Sequence, residues 1–455
     1  MSLHTQVAIV GGGIAGLALA RGLRARDIDV RVVEAAPRAG GNIRTEMRDG
    51  YTCEWGPNGF LDNEPATLRL VQAVGLSGAI VRADESARVR WVMRRGRLRR
   101  LPASPDGFLT SDVLSPRGKL RVLLEPLQPA RRGGESESVY DFARRRIGRE
   151  AAEVLVDAMV SGIYAGDARR LELGATFPRL AALEREHGGL FKGMRAARRA
   201  APHAAGGSPL GPGGTLTSFD GGIETLVRAL AGALGERLHL GMGVRTLSRS
   251  ASGWTLGLES GEAWTASNVV LACPAWTAAP PARALDAALA TELDAIPSAP
   301  VAIVYTGFAA ADVAHVERGF GFLVPSRERL GILGTLFESS IFPHRAPADH
   351  VLWRTMIGGA RDRGALDRSD EELVQRACKA FEMLLGVRAQ PAMTHVVRHA
   401  RGIAQYPLGH TARLARIDAH LQAHPGLHVS GSSYHGVSLN ACIAEAESLV
   451  TRIAT

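Results

Sequence analysis

Three glycines near the start of the chain have the spacing of a phosphate-binding turn. Gly11-x-Gly13-x-x-Gly16 follows the apolar run Val7–Val10, which predicts a buried strand, and it opens the helix-forming stretch Ile14–Arg26. In such a turn the first glycine permits the bend, the second lets the backbone approach a pyrophosphate, and the third lets the helix pack close to the sheet. Free N–H groups and a partial positive charge at the helix start favour an anion there. The pattern therefore predicts a dinucleotide site.

A second β-branched run, Val30–Val33, ends in Glu34 and completes a strand–helix–strand unit. A carboxylate at this position can accept hydrogen bonds from the ribose hydroxyls of an adenosine, and it repels a 2′-phosphate. The acid therefore disfavours NADP. The next segment, Arg38-Ala39-Gly40-Gly41, places two glycines beside a basic residue and so permits a second close approach of backbone and cofactor. This segment is typical of FAD proteins that resemble amine oxidases, and we predict FAD, held non-covalently.

Composition excludes several classes of protein. The four cysteines have no C-x-x-C spacing, which excludes a disulfide scaffold or a Cys-rich metal site and fits a reducing compartment. The net charge of +9 predicts an acidic partner. An anionic lipid surface and a carboxylated small substrate both fit, and without a zinc finger, RNP-type motif or recognition helix we expect no nucleic acid. The chain shows no export signal and no apolar run of the ~18 residues that span a bilayer, so we expect peripheral membrane contact at most.

The elements that must position these residues are spread along the chain. Strands are predicted in a central meander and in a later group that indicates a second, mixed or antiparallel sheet. The central strands are Gly243–Arg249, Trp254–Leu258 and Asn268–Cys273, and the later strands are Val301–Phe308, Gly321–Pro325 and His350–Ile357. The chain closes with the strand Leu427–Gly431 and a helix from about Leu439. Because the nucleotide-binding features lie near the start, the middle and the end, we predict a discontinuous cofactor domain.

Further segments give the chain a specific resemblance to the family of oxygen-dependent protoporphyrinogen oxidases, within the superfamily of FAD-dependent amine oxidases and phytoene desaturases. These segments occur in family order and extend over nearly the whole chain. They are Glu54–Leu61 (EWGPNGFL), Leu101-Pro102, Ser161–Asp167 (SGIYAGD), Thr176–Pro178, Phe219–Gly222 (FDGG), Gly319–Pro325 (GFGFLVP), Gly402–Tyr406 (GIAQY) and Tyr434–Asn440 (YHGVSLN).

The resemblance implies an α/β fold with three parts. An FAD-binding, doubly wound, Rossmann-like domain would comprise residues 1–84, 213–285 and 422–455. A mixed-sheet substrate-binding domain would comprise residues 85–92 and 286–421, and residues 93–212 would form an inserted helical, membrane-associating domain. In that last part Arg195, Arg198 and Arg199 could lie on an anionic membrane with their heads in the phosphate layer.

The resemblance also implies an activity. The enzyme would oxidise protoporphyrinogen IX to protoporphyrin IX in haem biosynthesis, with O2 as acceptor and H2O2 as by-product. We assign no catalytic side chain, because the electron-rich pyrroles stabilise the cation left when a meso carbon gives a hydride to flavin N5, and orientation then carries most of the catalysis. The implied location is peripheral, on the cytoplasmic side of the inner membrane or in the cytoplasm, and a homodimer is compatible with the family.

Carried over position by position, the resemblance assigns the site residues. The FAD contacts would be Gly11, Gly12, Gly13, Ile14, Ala15, Gly16, Glu34, Ala35, Arg38, Gly41, Gly56, Pro57, Asn58, Gly59, Val244, His399, Val437, Ser438 and Leu439. The substrate contacts would be Arg90, Gly166, Phe320, Leu323 and Ile341. Arg90 would bind a propionate, since a guanidinium fork matches a carboxylate. The chain departs from the family pattern at Asn42, His399 and Ala441.

Three alternatives stay open. The first keeps the fold and oxidises coproporphyrinogen III to coproporphyrin III, and the second is an amine oxidase of the same superfamily, which would need an aromatic cage. The chain has only 5% aromatic residues and no paired tyrosines near its C-terminus. The third is a non-catalytic basic scaffold. We predict no metal site: His395 and His399 are four residues apart, but Val396 and Val397 predict a strand, in which we expect the two rings to point to opposite faces.

Overall fold

A computed structural model describes residues 3–131, 133, 136–200, 213–250 and 253–455. Most of the Gly/Pro-rich stretch 204–214, which the sequence marks as a connector between elements, therefore lies outside the described residues. The described strands are β1 (Leu3–Val10), β2 (Val30–Glu34), β3 (Thr45–Arg48), β4 (Tyr51–Glu54), β5 (Phe60–Leu61), β6 (Ile80–Arg82), β7 (Arg90–Arg94), β8 (Arg97–Arg100), β9 (Leu216–Phe219), β10 (Leu238–Leu240), β11 (Val244–Ser250), β12 (Gly253–Leu258), β13 (Ala263–Leu271), β14 (Ser298–Ala309), β15 (Gly321–Leu323), β16 (Gly334–Leu336), β17 (His350–Gly358), β18 (Met393–Ala404) and β19 (Leu427–Val429).

The described α-helices connect and cover these strands. They are α1 (Ile14–Arg24), α2 (Pro65–Ala73), α3 (Pro105–Thr110), α4 (Pro116–Leu123), α5 (Val139–Ile147), α6 (Arg149–Ala151), α7 (Asp157–Tyr164), α8 (Leu173–Thr176), α9 (Pro178–His187), α10 (Leu190–Ala200), α11 (Glu224–Leu234), α12 (Ala275–Ala282), α13 (Ala287–Asp294), α14 (Glu338–Ile341), α15 (Asp370–Leu385), α16 (His410–Ala423) and α17 (Leu439–Ala454).

The first sheet has helices on both faces. Its strand order is β10-β2-β1-β13-β12-β11, with β19 also paired to β13, and β10, β2, β1, β13 and β19 run parallel. Alternate residues of β1 enter opposite cores: Val7 and Ile9 pack with α1, α11 and α17, whereas Ala8 and Val10 pack with α12 and α13. A strand buried on both faces is expected to be a continuous apolar run. The predicted doubly wound α/β unit is confirmed.

The second sheet is mixed, as predicted. Its order is β18-β14-β17-β16-β15-β7-β8, and β15 pairs parallel with β7 while the other neighbours are antiparallel. One face packs on α15, and the other face meets β4 through Val301, Ile303 and Tyr305. The sheet includes β8 and so extends to Arg100, beyond residue 92 where the predicted domain boundary lies. Because one of its faces meets β4, the second sheet lies directly against the segment that follows the Arg38–Gly41 loop.

A helical layer, formed mainly by α4–α10, packs on β7 and β15 of the second sheet. Its core contains Tyr140, Phe142 and Val160, together with Val92 and Tyr406 from the neighbouring elements. Among the described residues, no helix combines the length and the apolar composition that crossing a bilayer requires.

Candidate cofactor and substrate site

The glycine turn between β1 and α1 has the geometry that its spacing predicts. Gly11 has φ of +115°, and a Cβ on Gly16 would lie 2.0 Å from the Gly11 carbonyl oxygen. A Cβ on Gly13 would instead meet no atom within 4 Å, so the backbone there faces open space. α1 begins with no side-chain cap and no acid in its first turn. Its first N–H groups are thus free to bind an anion, which fits a pyrophosphate.

The second glycine segment packs directly on this turn. The Gly40 N–H donates to the Gly12 carbonyl over 2.8 Å. Gly41 has φ of +57°, and a Cβ there would lie 3.6 Å from the Gly13 Cα. The Arg38 guanidinium donates to the carbonyls of its own loop, at 3.0 Å to Ala39 and to Ile43 and at 2.6 Å to Gly41. In this structure Arg38 therefore shapes the loop that meets the glycine turn.

Glu34 ends β2 beside the glycine turn. Its Oε2 accepts from the Gly12 N–H at 2.6 Å and its Oε1 from the Ala36 N–H at 2.8 Å. The Glu34 carbonyl accepts from the Met242 N–H at 2.8 Å, which brings the start of β11 at Val244 close to the end of β2. Ala35, the residue after β2, is exposed. The predicted FAD contacts Glu34, Ala35 and Val244 thus lie near one another, although some two hundred residues separate them in the sequence.

A third loop, residues 54–59, follows β4 and is called the cofactor loop below. Gly56 and Pro57 are half-buried and Asn58 is buried. A Cβ on Gly56 would lie 2.3 Å from the Asn42 carbonyl oxygen, and a Cβ on Gly59 would lie equally close to that of Thr217. Both glycines are therefore required for close backbone packing, in addition to any contact with a ligand.

The segment between β19 and α17 forms the fourth side of the site. A Cβ on Gly431 would lie 3.7 Å from the Ala15 Cβ, so this segment adjoins the start of α1. The Ser438 hydroxyl caps α17 by accepting from the Ala441 N–H at 3.1 Å. Val437 is half-buried, and Leu439 is buried in the core of the first sheet. α17, like α1, has no acid in its first turn. Four glycine-containing segments, two of which lead into the starts of α1 and α17, thus converge, an arrangement that fits FAD.

His399 lies on β18 beside the cofactor loop. Its Nε2 lies 2.7 Å from the Trp55 carbonyl oxygen, and burial lowers the pKa of the ring. The expectation that His395 and His399 point to opposite faces was wrong. The strand is present, but side chains alternate with a period of two, so residues four apart share a face. In the part of the chain that the structure describes, no three His, Cys, Asp or Glu residues are grouped to hold a metal ion.

Arg90 and Phe320 lie together on the second sheet. The Arg90 Cζ is 4.5 Å from the Phe320 ring centroid, and Arg90 pairs with Gly321 across β7 and β15. No carboxylate of the described residues forms an ion pair with Arg90. The side chain is exposed, yet partial desolvation by the protein around it lowers the pKa of the guanidinium. An unpaired, partly desolvated cation beside an aromatic face can bind a flat carboxylated ligand.

The other predicted substrate residues differ in accessibility. Leu323 lines a small cavity of about 50 Å³ with Gly162, Leu333 and Met356. Gly166 is buried, and a Cβ there would lie 2.8 Å from both Gln405 Oε1 and Leu171 Cδ1. Ile341 is fully buried, in the small cluster against which Phe320 packs. The structure thus brings Arg90 on β7 next to Phe320 and Leu323, which lie before and on the neighbouring strand β15, and it places Gly166 and Ile341 in the packed interior.

Sequence reasoning missed two arginines at this site. Arg345 and Arg354 come from the region of the second sheet and donate hydrogen bonds to backbone carbonyls of the cofactor loop. No glycine spacing, turn or periodic pattern accompanies either residue in the sequence. Only the knowledge that each side chain is almost completely buried, at 0% and 5% exposure, distinguishes them from the many surface arginines of this chain.

Comparisons with known proteins agree with this geometry. The model of the family described as flavin containing amine oxidoreductase matches residues 14–454. The chain is 30% identical to the coproporphyrinogen III oxidase of Bacillus subtilis (strain 168), over 98% of this chain and 97% of that protein. It is 33% identical to the chloroplastic protoporphyrinogen oxidase of Nicotiana tabacum, over 98% of this chain and 84% of that protein.

Solved structures show the same architecture. The crystal structure of a candidate protoporphyrinogen oxidase from Exiguobacterium sp. 255-15 superposes with a TM-score of 0.83 at 28% identity, covering 100% of this chain and 99% of that one. Putrescine oxidase bound to putrescine superposes with a TM-score of 0.69 at 18% identity, covering 100% of this chain and 99% of that one. At that identity the likeness shows the fold alone.

Proposed function

The chain belongs to the flavin-containing amine oxidoreductase family, and on that premise we propose that it oxidises protoporphyrinogen IX to protoporphyrin IX, with O2 as acceptor and release of H2O2. FAD, when bound, supplies the hydride acceptor for such a reaction. The chain's own residues bind and orient: the glycine turn and the starts of α1 and α17 hold the cofactor, and the second sheet presents the substrate to it. The support is the site described above together with the names of the relatives.

The observation that carries the proposal is the unpaired guanidinium of Arg90 beside the Phe320 ring. A porphyrinogen offers propionate carboxylates on a large apolar macrocycle, so it needs both a cation and apolar surface. A guanidinium gives two parallel N–H donors to a carboxylate, which fixes orientation as well as adding binding energy. Phe320, just before the adjoining strand β15, and Leu323, on that strand, supply apolar surface.

The test is a direct comparison of substrates. Purified FAD-loaded protein is given protoporphyrinogen IX, coproporphyrinogen III or a primary amine in air, and porphyrin fluorescence and H2O2 are measured together. We expect porphyrin and peroxide with protoporphyrinogen IX at the highest kcat/KM. Peroxide release with the amine and none with either porphyrinogen would overturn the proposal.

A second candidate substrate is coproporphyrinogen III. It is favoured by the Bacillus subtilis relative, which matches nearly end to end and carries that name. Coproporphyrinogen has propionates where protoporphyrinogen has vinyl groups, so it would need further cations around the macrocycle. A kcat/KM at least tenfold higher for coproporphyrinogen III in the same assay would select this candidate.

We further propose peripheral membrane contact, on the cytoplasmic side of the inner membrane, through a leucine surface of the helical layer. It is supported by five exposed leucines on and around α3 and α4, with Arg117 and Lys119 beside them. The leucine surface consists of Leu109, Leu120, Leu123, Leu124 and Leu127, with exposures between 38% and 75%. Arg195 and Arg199 on α10 are also exposed, and the Arg198 side chain lies outside the described residues.

Vesicle sedimentation tests the membrane proposal. We expect the protein to bind vesicles that contain anionic lipid and to bind neutral vesicles less, because apolar burial and charge attraction add. Leu120→Ser with Leu127→Ser should release it, whereas Met383→Ser, which changes an exposed apolar residue on α15, should not. Equal sedimentation of the two variants would contradict the assignment of this surface.

A further inference from the structure

We propose that Arg345 and Arg354 are positioning residues that hold the cofactor loop in its FAD-binding shape by hydrogen bonds to its backbone. Both arginines come from the part of the chain that forms the second sheet, and neither was indicated by sequence motifs. The proposal rests on FAD binding and not on the identity of the porphyrinogen. Its test therefore needs no porphyrinogen, and a failure of the substrate assignment would leave it unchanged.

Arg345 makes a dense set of contacts with the cofactor loop. Its Nη2 donates to the Asn58 carbonyl at 2.9 Å and to the Ser218 hydroxyl at 3.0 Å, and its Nη1 donates to Asn58 Oδ1. A guanidinium can only donate, so the Asn58 atom that faces it must be the side-chain oxygen. Arg345 thus fixes both the backbone of the loop and the orientation of the Asn58 amide.

Arg354 holds the same loop two residues earlier. It lies on β17 and donates from Nη2 to the Gly56 carbonyl at 2.6 Å. The Tyr305 hydroxyl of the neighbouring strand β14 lies 2.8 Å from both the backbone nitrogen and the carbonyl oxygen of Glu54. Tyr305 and Arg354 from the second sheet and Arg345 from the segment between β16 and β17 therefore bind the backbone of the cofactor loop at Glu54, Gly56 and Asn58.

The charges around these contacts are balanced and removed from water. Arg345 lies 2.8 Å from a Glu338 carboxylate oxygen and 3.2 Å from one of Glu54, and these three side chains are fully buried. Arg354 is the second cation, so two arginines face two glutamates. Glu54 also accepts from the Ile223 N–H and from the Thr45 hydroxyl. The Glu54 carboxylate thus also connects the cofactor loop to the start of α11, which packs on the first sheet.

A buried ion pair adds little net stability compared with well-packed apolar residues, because desolvation offsets the attraction. What it does provide is direction, since each N–H must point at its acceptor. Here the acceptors include two main-chain carbonyls of the segment in which the resemblance places FAD contacts. Loss of these bonds should let the loop shift and so alter the bound flavin, while the rest of the fold persists.

The experiment uses a charge-balanced double variant with a matched control. Arg345→Met with Glu338→Gln removes one cation and one anion from the buried set. Arg146→Met with Glu125→Gln does the same at the fully buried Arg146–Glu125 pair in the helical layer. For each protein the FAD dissociation constant, the flavin absorption spectrum and reduction potential, and the melting temperature are measured after reconstitution of the apoprotein.

We expect both double variants to melt at lower temperature than the parent chain. Only the Arg345 variant should bind FAD at least tenfold more weakly and show a shifted flavin spectrum or potential. Arg354→Gln, which removes the direct bond to Gly56 with a milder change, should alter the FAD dissociation constant in the same direction. FAD affinity, spectrum and potential equal to those of the parent in the folded Arg345 variant would overturn the proposal. If that variant does not fold, parental values in Arg354→Gln would overturn it.

Discussion

The Cζ atom of Arg90, on β7, lies 4.5 Å from the centroid of the Phe320 ring, and Phe320 immediately precedes the neighbouring strand β15. Most arginines near it are neutralised: Arg88 pairs with Glu85, Arg94 with Glu150 and Arg99 with Asp112. Among the described residues Arg90 has no such partner. It is therefore the cation of this strand that remains available to an anionic ligand.

Arg90→Met should raise KM for a porphyrinogen about 10- to 100-fold, the effect expected for loss of a hydrogen bond between charged groups. The change in kcat should be smaller, because the carboxylate lies away from the reacting carbon. Steady-state kinetics measured by porphyrin fluorescence separate the two parameters. The KM of Arg90→Lys should lie between those of the parent and of Arg90→Met, since an ammonium keeps the charge but not the paired donors.

Arg88→Met is the matched control for this prediction. It removes an arginine two residues away that is exposed and paired with Glu85. Its KM should stay within about twofold of the parent value, because exposed ion pairs contribute little. A similar KM in the Arg88 and Arg90 variants would exclude Arg90 as a substrate ligand.

Gly16→Ala should abolish FAD binding. The added methyl group would lie 2.0 Å from the Gly11 carbonyl oxygen, so either α1 or the glycine turn must move. Gly232→Ala, in α11, is the control, because a Cβ there meets nothing within 4 Å. That change should stabilise the protein by roughly 0.5–1 kcal/mol, since alanine favours a helix. Flavin absorbance after purification measures the first effect and thermal melting the second.

Ser438→Ala should weaken FAD binding through the start of α17. The Ser438 hydroxyl accepts from the Ala441 N–H, and its loss should lower the free energy of unfolding by about 1 kcal/mol. Ser369 caps α15 in the same way, by accepting from the Glu372 N–H at 3.2 Å. Ser369→Ala should therefore cost similar stability without changing the FAD dissociation constant. Equal FAD affinity in the two variants would contradict a role for the α17 start in cofactor binding.

His410 should make the stability of the protein depend on pH. Burial lowers the pKa of its ring from 6.5 to about 4, and its Nε2 lies 3.2 Å from the Tyr434 carbonyl oxygen. Its buried Nδ1 has no hydrogen-bond partner in the described structure, so protonation would leave a buried N–H unpaired. Between pH 6.5 and about pH 4, His410 binds a proton in the unfolded chain but not in the folded chain. The free energy of unfolding should therefore fall as pH falls, by at most about 1.4 kcal/mol per pH unit.

His410→Gln tests this assignment. The amide keeps a donor for the Tyr434 carbonyl and removes the titrating group. Urea unfolding between pH 4 and pH 6.5 should then show a shallower dependence on pH than the parent protein. An unchanged slope would assign the effect to other groups.

How far the sequence predicted the site depends on whether a residue acts locally. The glycine turn, Glu34 and the Arg38–Gly41 loop were found because backbone bends, helix starts and strand ends are local properties with fixed spacing. Apolar runs also indicated the first strand–helix–strand unit and a second, mixed or antiparallel sheet, whereas the doubly wound domain was implied by the family resemblance. The expectation that His395 and His399 point to opposite faces was wrong for a local reason too, because residues four apart on a strand lie on the same face.

The sequence by itself determined the dinucleotide turn, the presence of a second sheet and, through segments in family order, the flavoprotein family and its fold. Only the tertiary structure showed which arginines bind the cofactor loop and which one remains available to a ligand. Arg345 reaches Asn58 across 287 positions of sequence, and Arg354 reaches Gly56 across 298. Arg90 was a candidate by resemblance, but only the structure shows that no carboxylate of the described residues pairs with it. The physical reason is that burial and pairing of a charge depend on which distant segments fold against it, and no local spacing records that.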